Sequence, residues 1–163
     1  MRRDRQKGAQ AVEFALVLPF FLVLLLLTIE FGFLVHDQAV ITNASREAAR
    51  AGTVLSASNW NTTRLNAIAT VACNYAGGAL VTTNTAASPA SCPSALASPH
   101  TLVCPSRAAL VVRITPASGG TPAFADPVSV QVAYAYTGLL KAFQTVSPQS
   151  VWTLCAQSTM NHE

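Results

Sequence analysis

Apolar and polar positions fall into three regimes along this chain. The first is continuous: the sixteen residues Phe14–Ile29 read Phe-Ala-Leu-Val-Leu-Pro-Phe-Phe-Leu-Val-Leu-Leu-Leu-Leu-Thr-Ile and carry no charge. With Ala9–Glu13 before and Glu30–Val35 after, there is enough helix to cross a hydrocarbon core of about 30 Å, which takes roughly 20 residues. Glu13 and Glu30 then fall near the two interfaces. The second regime is helical. Ile41, Ala44, Ala48, Ala51 and Leu55 recur at steps of three and four, with Asn43, Arg46, Glu47 and Arg50 on the opposite face. A second helix is expected from Asn61-Thr62-Thr63, with Asn or Thr as cap. It runs through Leu65, Ile68, Ala69, Ala72 and Cys73 and ends at Gly77-Gly78. From Thr82 to Pro105 the chain is rich in Thr, Ser, Ala and Pro without a period, which predicts a long surface loop.

The third regime is strand-like. Ala108–Pro116 reads as a strand followed by a Pro/Gly turn, and Val151–Met160 as another. Between them, Pro127–Thr137 places Val128, Val130, Val132, Tyr134 and Tyr136 on one side. The predicted fold class is α+β: one amino-terminal membrane-spanning helix continuing into a small exported domain of helix and antiparallel sheet. The expected boundaries are a leader at 1–8, a transmembrane helix at 9–35, a juxtamembrane helix at 36–58 and an exported domain at 59–163 with its loop at 82–105.

Charge sharpens this picture. Charged residues are 10% of the chain, against roughly 25% in an ordinary soluble domain. Arg2, Arg3, Arg5, Lys7 and Asp4 account for the whole net charge of +3, and the remainder balances to zero. The exported part therefore lacks the clustered cations of a nucleic-acid surface. The basic leader instead predicts a cytoplasmic amino terminus and an external bulk. A cleavable secretory signal would also begin basic and apolar. Here, however, the apolar run exceeds the usual 7–15 residues and no small-x-small site closes it.

Cys73, Cys92, Cys104 and Cys155 all follow the membrane segment, as two disulfides in an oxidising compartment would require. Three pairings are open. Cys92–Cys104 with Cys73–Cys155 is the favoured one, closing the loop and tying helix to final strand. No metal is expected, since there is no C-x-x-C and His36, His100 and His162 are scattered. Asp126 is the only carboxylate between Glu47 and Glu163, so no acid/base pair and no enzyme activity are expected of the domain. No cofactor is implied.

Gly8, Glu13 and Pro19 remain. A carboxylate at the edge of a spanning segment costs a few kcal/mol and is rare without a function. It stands five residues after a glycine that closes the basic run. The segment Gly8-Ala9-Gln10-Ala11-Val12-Glu13-Phe14-Ala15-Leu16-Val17-Leu18-Pro19 resembles the TadE-like pseudopilins of the tight-adherence (Tad/Flp) pilus systems. Ala44-Ser45-Arg46-Glu47-Ala48-Ala49-Arg50-Ala51-Gly52 resembles the stretch after the membrane helix in that family. The resemblance implies that Met1–Gly8 is a prepilin leader, cut from Ala9 by a prepilin peptidase. Glu13 and Phe14 would then be assembly residues near a new amino terminus. It implies a single-pass protein of a bacterial inner membrane, with its domain periplasmic or extracellular. Its partners would be the peptidase, the lipid bilayer, other pilins and pseudopilins, and the inner-membrane assembly platform, in pilus assembly and surface adherence. Pro19 removes one helical hydrogen bond, either as a simple kink or as a weak point where the helix repacks on leaving the bilayer. The other reading is an exported binding module, an adhesin, on an uncleaved anchor. That reading accounts for everything but Gly8 and Glu13.

Overall fold

One helix, α1 (Arg3–Val54), takes up the first third of the chain and, at 52 residues, is roughly 80 Å long. The computed structural model describes residues 3–54, 60–81, 92–93, 99–105, 107–116, 124–138 and 152–162. Every residue from Gln10 to Ile29 is exposed. Burial begins at Asp37 and then follows one stripe through Val40, Ile41, Ala44, Ser45, Ala48, Ala49 and Gly52. The predicted stripe is present, although Ala51 is only half-buried and Leu55 lies outside the described residues. It also starts one turn earlier than the apolar pattern, at a carboxylate. Asp37 is wholly buried, accepts a bond from the Val81 amide at 3.0 Å and lies 3.4 Å from His36 Nδ1. A polar residue in a core stripe is sustained only by such partners.

The second helix, α2 (Thr62–Ala79), begins where expected. Asn61 is its cap and accepts from the Arg64 amide at 2.8 Å. It runs past Gly77-Gly78 rather than stopping there. Arg107 explains the extension: its Nε donates to the Gly77 carbonyl at 3.1 Å and its Nη2 to that of Leu80 at 3.0 Å. A guanidinium at a helix carboxyl end both fills orphan carbonyls and opposes the helix dipole.

Four strands follow: β1 (His100–Val103), β2 (Leu110–Pro116), β3 (Pro127–Tyr136) and β4 (Trp152–Asn161). They form an antiparallel sheet in sequence order. The predicted sheet had three. The fourth, β1, lies inside the segment expected to be loop from 82 to 105; four residues at an edge are too few to show a period. Val112, Val132 and Ala156 stand opposite one another, as do Ile114, Val130 and Ser158. This face meets the helices, with α1 over β3 and β4 and α2 over β1 and β2. Ser45 Oγ lies 2.8 Å from Ser158 Oγ. Gly52 admits the close approach of helix and sheet: a β-carbon there would come within 3.2 Å of Val128 Cγ1. The predicted inward set of β3, from Val128 to Tyr136, is buried as expected.

The opposite face is also covered, since Val111, Ala133 and Ala135 are buried too. Cys92 lies on this side, its carbonyl accepting from Arg113 Nη1 at 3.3 Å. This placement overturns the favoured disulfide pairing. The bridges are Cys73–Cys104 and Cys92–Cys155. Strand parity is the reason. Cys155 stands opposite Ala133 and so points away from the helices. Cys73 sits on the buried side of α2 and meets only the end of β1.

Candidate functional site

The candidate processing and assembly residues lie in the first five turns of α1. Gly8 and Ala9 are helical in backbone, while Met1 and Arg2 and the side chains up to Ala9 lie outside the described residues. Glu13 is exposed, and among the described residues it has no ion-pair partner. Phe14 beside it is 66% exposed. Helical assignment continues through Pro19, although proline leaves the Ala15 carbonyl without its amide donor. Farther along, the hydroxyl of Thr28 donates to the Leu24 carbonyl at 2.9 Å, which removes a free donor from the apolar run. From Gln10 onward the helix is long and apolar enough to cross a membrane. Among the described residues nothing buries that surface.

Where the exposed helix meets the domain, the sequence conceals a second constellation. Tyr136, at the end of β3, donates its hydroxyl to Glu30 Oε1 at 2.8 Å. Gly138 lies against the same carboxylate, which would have to shift to admit a β-carbon there. The carboxylate at the end of the apolar run is thus gripped by the sheet, which fixes the sheet to the helix at that height. Burial, and then the hydrogen bond and charge of Glu30, push the Tyr136 phenol well above its ordinary value of 10.0. Sequence reasoning placed Glu30 at an interface but could not find its partner 106 residues away.

A pH test follows from that shift. The folded phenol holds its proton more tightly than the unfolded one. Its stabilisation is therefore whole below about pH 10 and is lost as the pH rises beyond that. Tyr136→Phe should cost about 1.5 kcal/mol at pH 7, the worth of a hydrogen bond to a charged group. The gap to the parent should close by about pH 11. Denaturant titrations of both proteins in micelles would show it. A gap that stays constant from pH 7 to 11 would remove the phenol–carboxylate bond as its source.

The far end of the domain carries a cleft of ≈ 680 Å³, lined among others by Arg50, Thr53, Phe124, Met160 and His162. Among the described residues no three His, Cys, Asp or Glu side chains gather as a metal would require. The candidate processing and assembly residues all lie in α1.

Comparison with known proteins agrees on that location. Residues 8–50 match the model of the TadE-like protein family, the family resembled by the segments within Gly8–Gly52. The match spans the exposed helix and its continuation and stops before α2 and the sheet. No curated protein and no solved structure matches the chain.

Proposed function

We propose that this chain is a TadE-like minor pilin or pseudopilin, matured by a prepilin peptidase after Gly8 and acting in Tad/Flp pilus assembly and surface adherence. The family match suggests a Tad pilus-associated protein working with other pilus components, and α1 fits a membrane anchor. The observation that carries the finer reading is a coincidence of position. The matched segment opens at Gly8, places exposed Glu13 five residues on, and continues into an apolar helix that no other described residue buries.

Physical chemistry supports the sequence of events. Cleavage would remove four fixed cations that hold the terminus at the cytoplasmic face. It would create an amine at Ala9, a few residues from Glu13. In a bundle of such helices, the carboxylate of one subunit can pair with the amine of another, and the pair is worth more in a low dielectric than in water. The chain is then a substrate of the peptidase and a building or assembly component. It resides in the inner membrane with its domain outside, or passes from there into the fibre.

Two measurements test this. The intact mass of membrane-extracted native protein should correspond to a chain beginning at Ala9. A chain still beginning at Met1 in a host that has the peptidase would make it an anchored binding module. Glu13→Ala should insert normally but fail to co-purify with the pilus machinery, and normal piliation in that variant would remove the assembly role.

A further inference from the structure

Trp152 opens β4 and is 63% exposed, which by itself says little. Its height along α1 says more. Two contacts measure it: Ser158 meets Ser45, and the Cys155 carbonyl accepts from Gln38 Nε2 at 3.0 Å. Three strand residues correspond to seven helix residues, about 10 Å by either rise. Three further strand residues back from Cys155 bring Trp152 level with Phe31. The register gives the same answer independently. Trp152 pairs with Tyr136, whose hydroxyl is bonded to Glu30.

That height coincides with the end of the apolar run. Gln10–Ile29, exposed throughout, is twenty residues, or about 30 Å of helix, the thickness of a hydrocarbon core. Phe31, 66% exposed, stands with Trp152 just beyond it. The only carboxylate at this level among the described residues, Glu30, is engaged by Tyr136. The neighbouring Thr137, Gly138 and Thr153 are uncharged. An aromatic with an apolar body and one N–H donor, set at the end of a spanning run, is the side chain enriched at membrane–water interfaces.

We infer that this rim, with Trp152 and Phe31 as its aromatic contacts, lies in the headgroup layer of the bilayer and seats the exported domain directly on the lipid. The inference rests on the reading of α1 as a membrane span and adds to it a second, lateral contact from the folded domain. The fixed charge at this level among the described residues, Glu30, is engaged by Tyr136, so neutral lipid is the probe for the contact. The seat and the Glu30–Tyr136 bond together fix the angle between membrane helix and sheet.

The chain has two tryptophans, and the other is well placed as a control. Trp60 stacks under Arg64, whose Nη2 donates to the Gly52 carbonyl, so it lies about 30 Å farther from the rim. The full chain with Trp60→Phe is reconstituted into phosphatidylcholine vesicles containing spin-labelled phosphatidylcholine. Trp152 emission should be strongly quenched by a label near the headgroup and less by one at the acyl terminus. The Trp152→Phe protein, which retains Trp60, should show no lipid quenching. Flotation of the vesicles after an alkaline wash reports insertion separately. Protein that floats but whose Trp152 answers only to aqueous acrylamide overturns the lipid seat and leaves the span standing. Trp152 shielded from both quenchers indicates a second copy or another protein on the rim and also overturns it. Protein that does not float overturns both readings.

Discussion

Serine at both Cys92 and Cys155 should lower the stability of the exported domain by about 4 kcal/mol. The bridge closes 63 residues of chain, and removing a cross-link of that span releases unfolded-state entropy worth about 4.3 kcal/mol. The Cys73–Cys104 bridge closes 31 residues, for which the same estimate is about 3.7 kcal/mol. The difference in consequence is greater than these figures suggest. Cys73–Cys104 ties together elements that already pack, α2 on the sheet edge. Cys92–Cys155 holds the chain on the face of the sheet that the helices leave uncovered, where Val111, Ala133 and Ala135 are buried. Against a typical total of 5–15 kcal/mol, the loss leaves a marginal fold. Denaturant unfolding of the full chain in micelles, without reductant, measures it directly. A loss below about 1 kcal/mol would mean that this bridge does not constrain the chain. Non-reducing peptide mapping provides the complementary check, and recovery of Cys92 linked to Cys104 would reverse the connectivity.

How far the sequence could be read depended on whether each feature was local. The buried side of β3 was legible because Val128, Val130, Val132, Tyr134 and Tyr136 alternate without interruption. The start of α2 was legible because Asn61 is a strong cap. The stripe of α1 was legible from Ile41 onward, but its first member is Asp37, and an apolar pattern cannot enrol a carboxylate whose partner is the distant Val81 amide. β1 was missed because it is four residues long at a sheet edge. The disulfides were mispaired because loop closure was weighed without strand parity. The register of β4 points Cys155 away from α2. The bond from Tyr136 to Glu30 was beyond reach, since only the folded sheet brings residue 136 back to residue 30. Gly8, Glu13, Phe14 and Pro19 were singled out through a family resemblance, and the family match covers the segment that holds them.

Replacing Gly8 with leucine should leave essentially all of the protein as full-length precursor in the membrane. The structure adds a reason to the sequence pattern. Helix α1 already runs from Arg3, so the bond after Gly8 lies in helical backbone. A peptidase needs the chain extended across the bond it cuts, so several residues must unwind first. Glycine makes that opening easier: it destabilises a helix interior by about 1 kcal/mol relative to alanine, and it presents no side chain to the protease. Leucine reverses both terms, stiffening the helix and adding bulk at the bond. Gly8→Ala reverses only the first and should mature more slowly, by about fivefold if opening limits the rate. The uncut leucine variant keeps its four leader cations and forms no amine near Glu13, so it should insert yet fail to join the pilus machinery. Mass spectrometry of the three membrane-extracted proteins separates the cases. Normal maturation to Ala9 in the leucine variant would show that the glycine does not govern processing and would return the chain to the status of an anchored module.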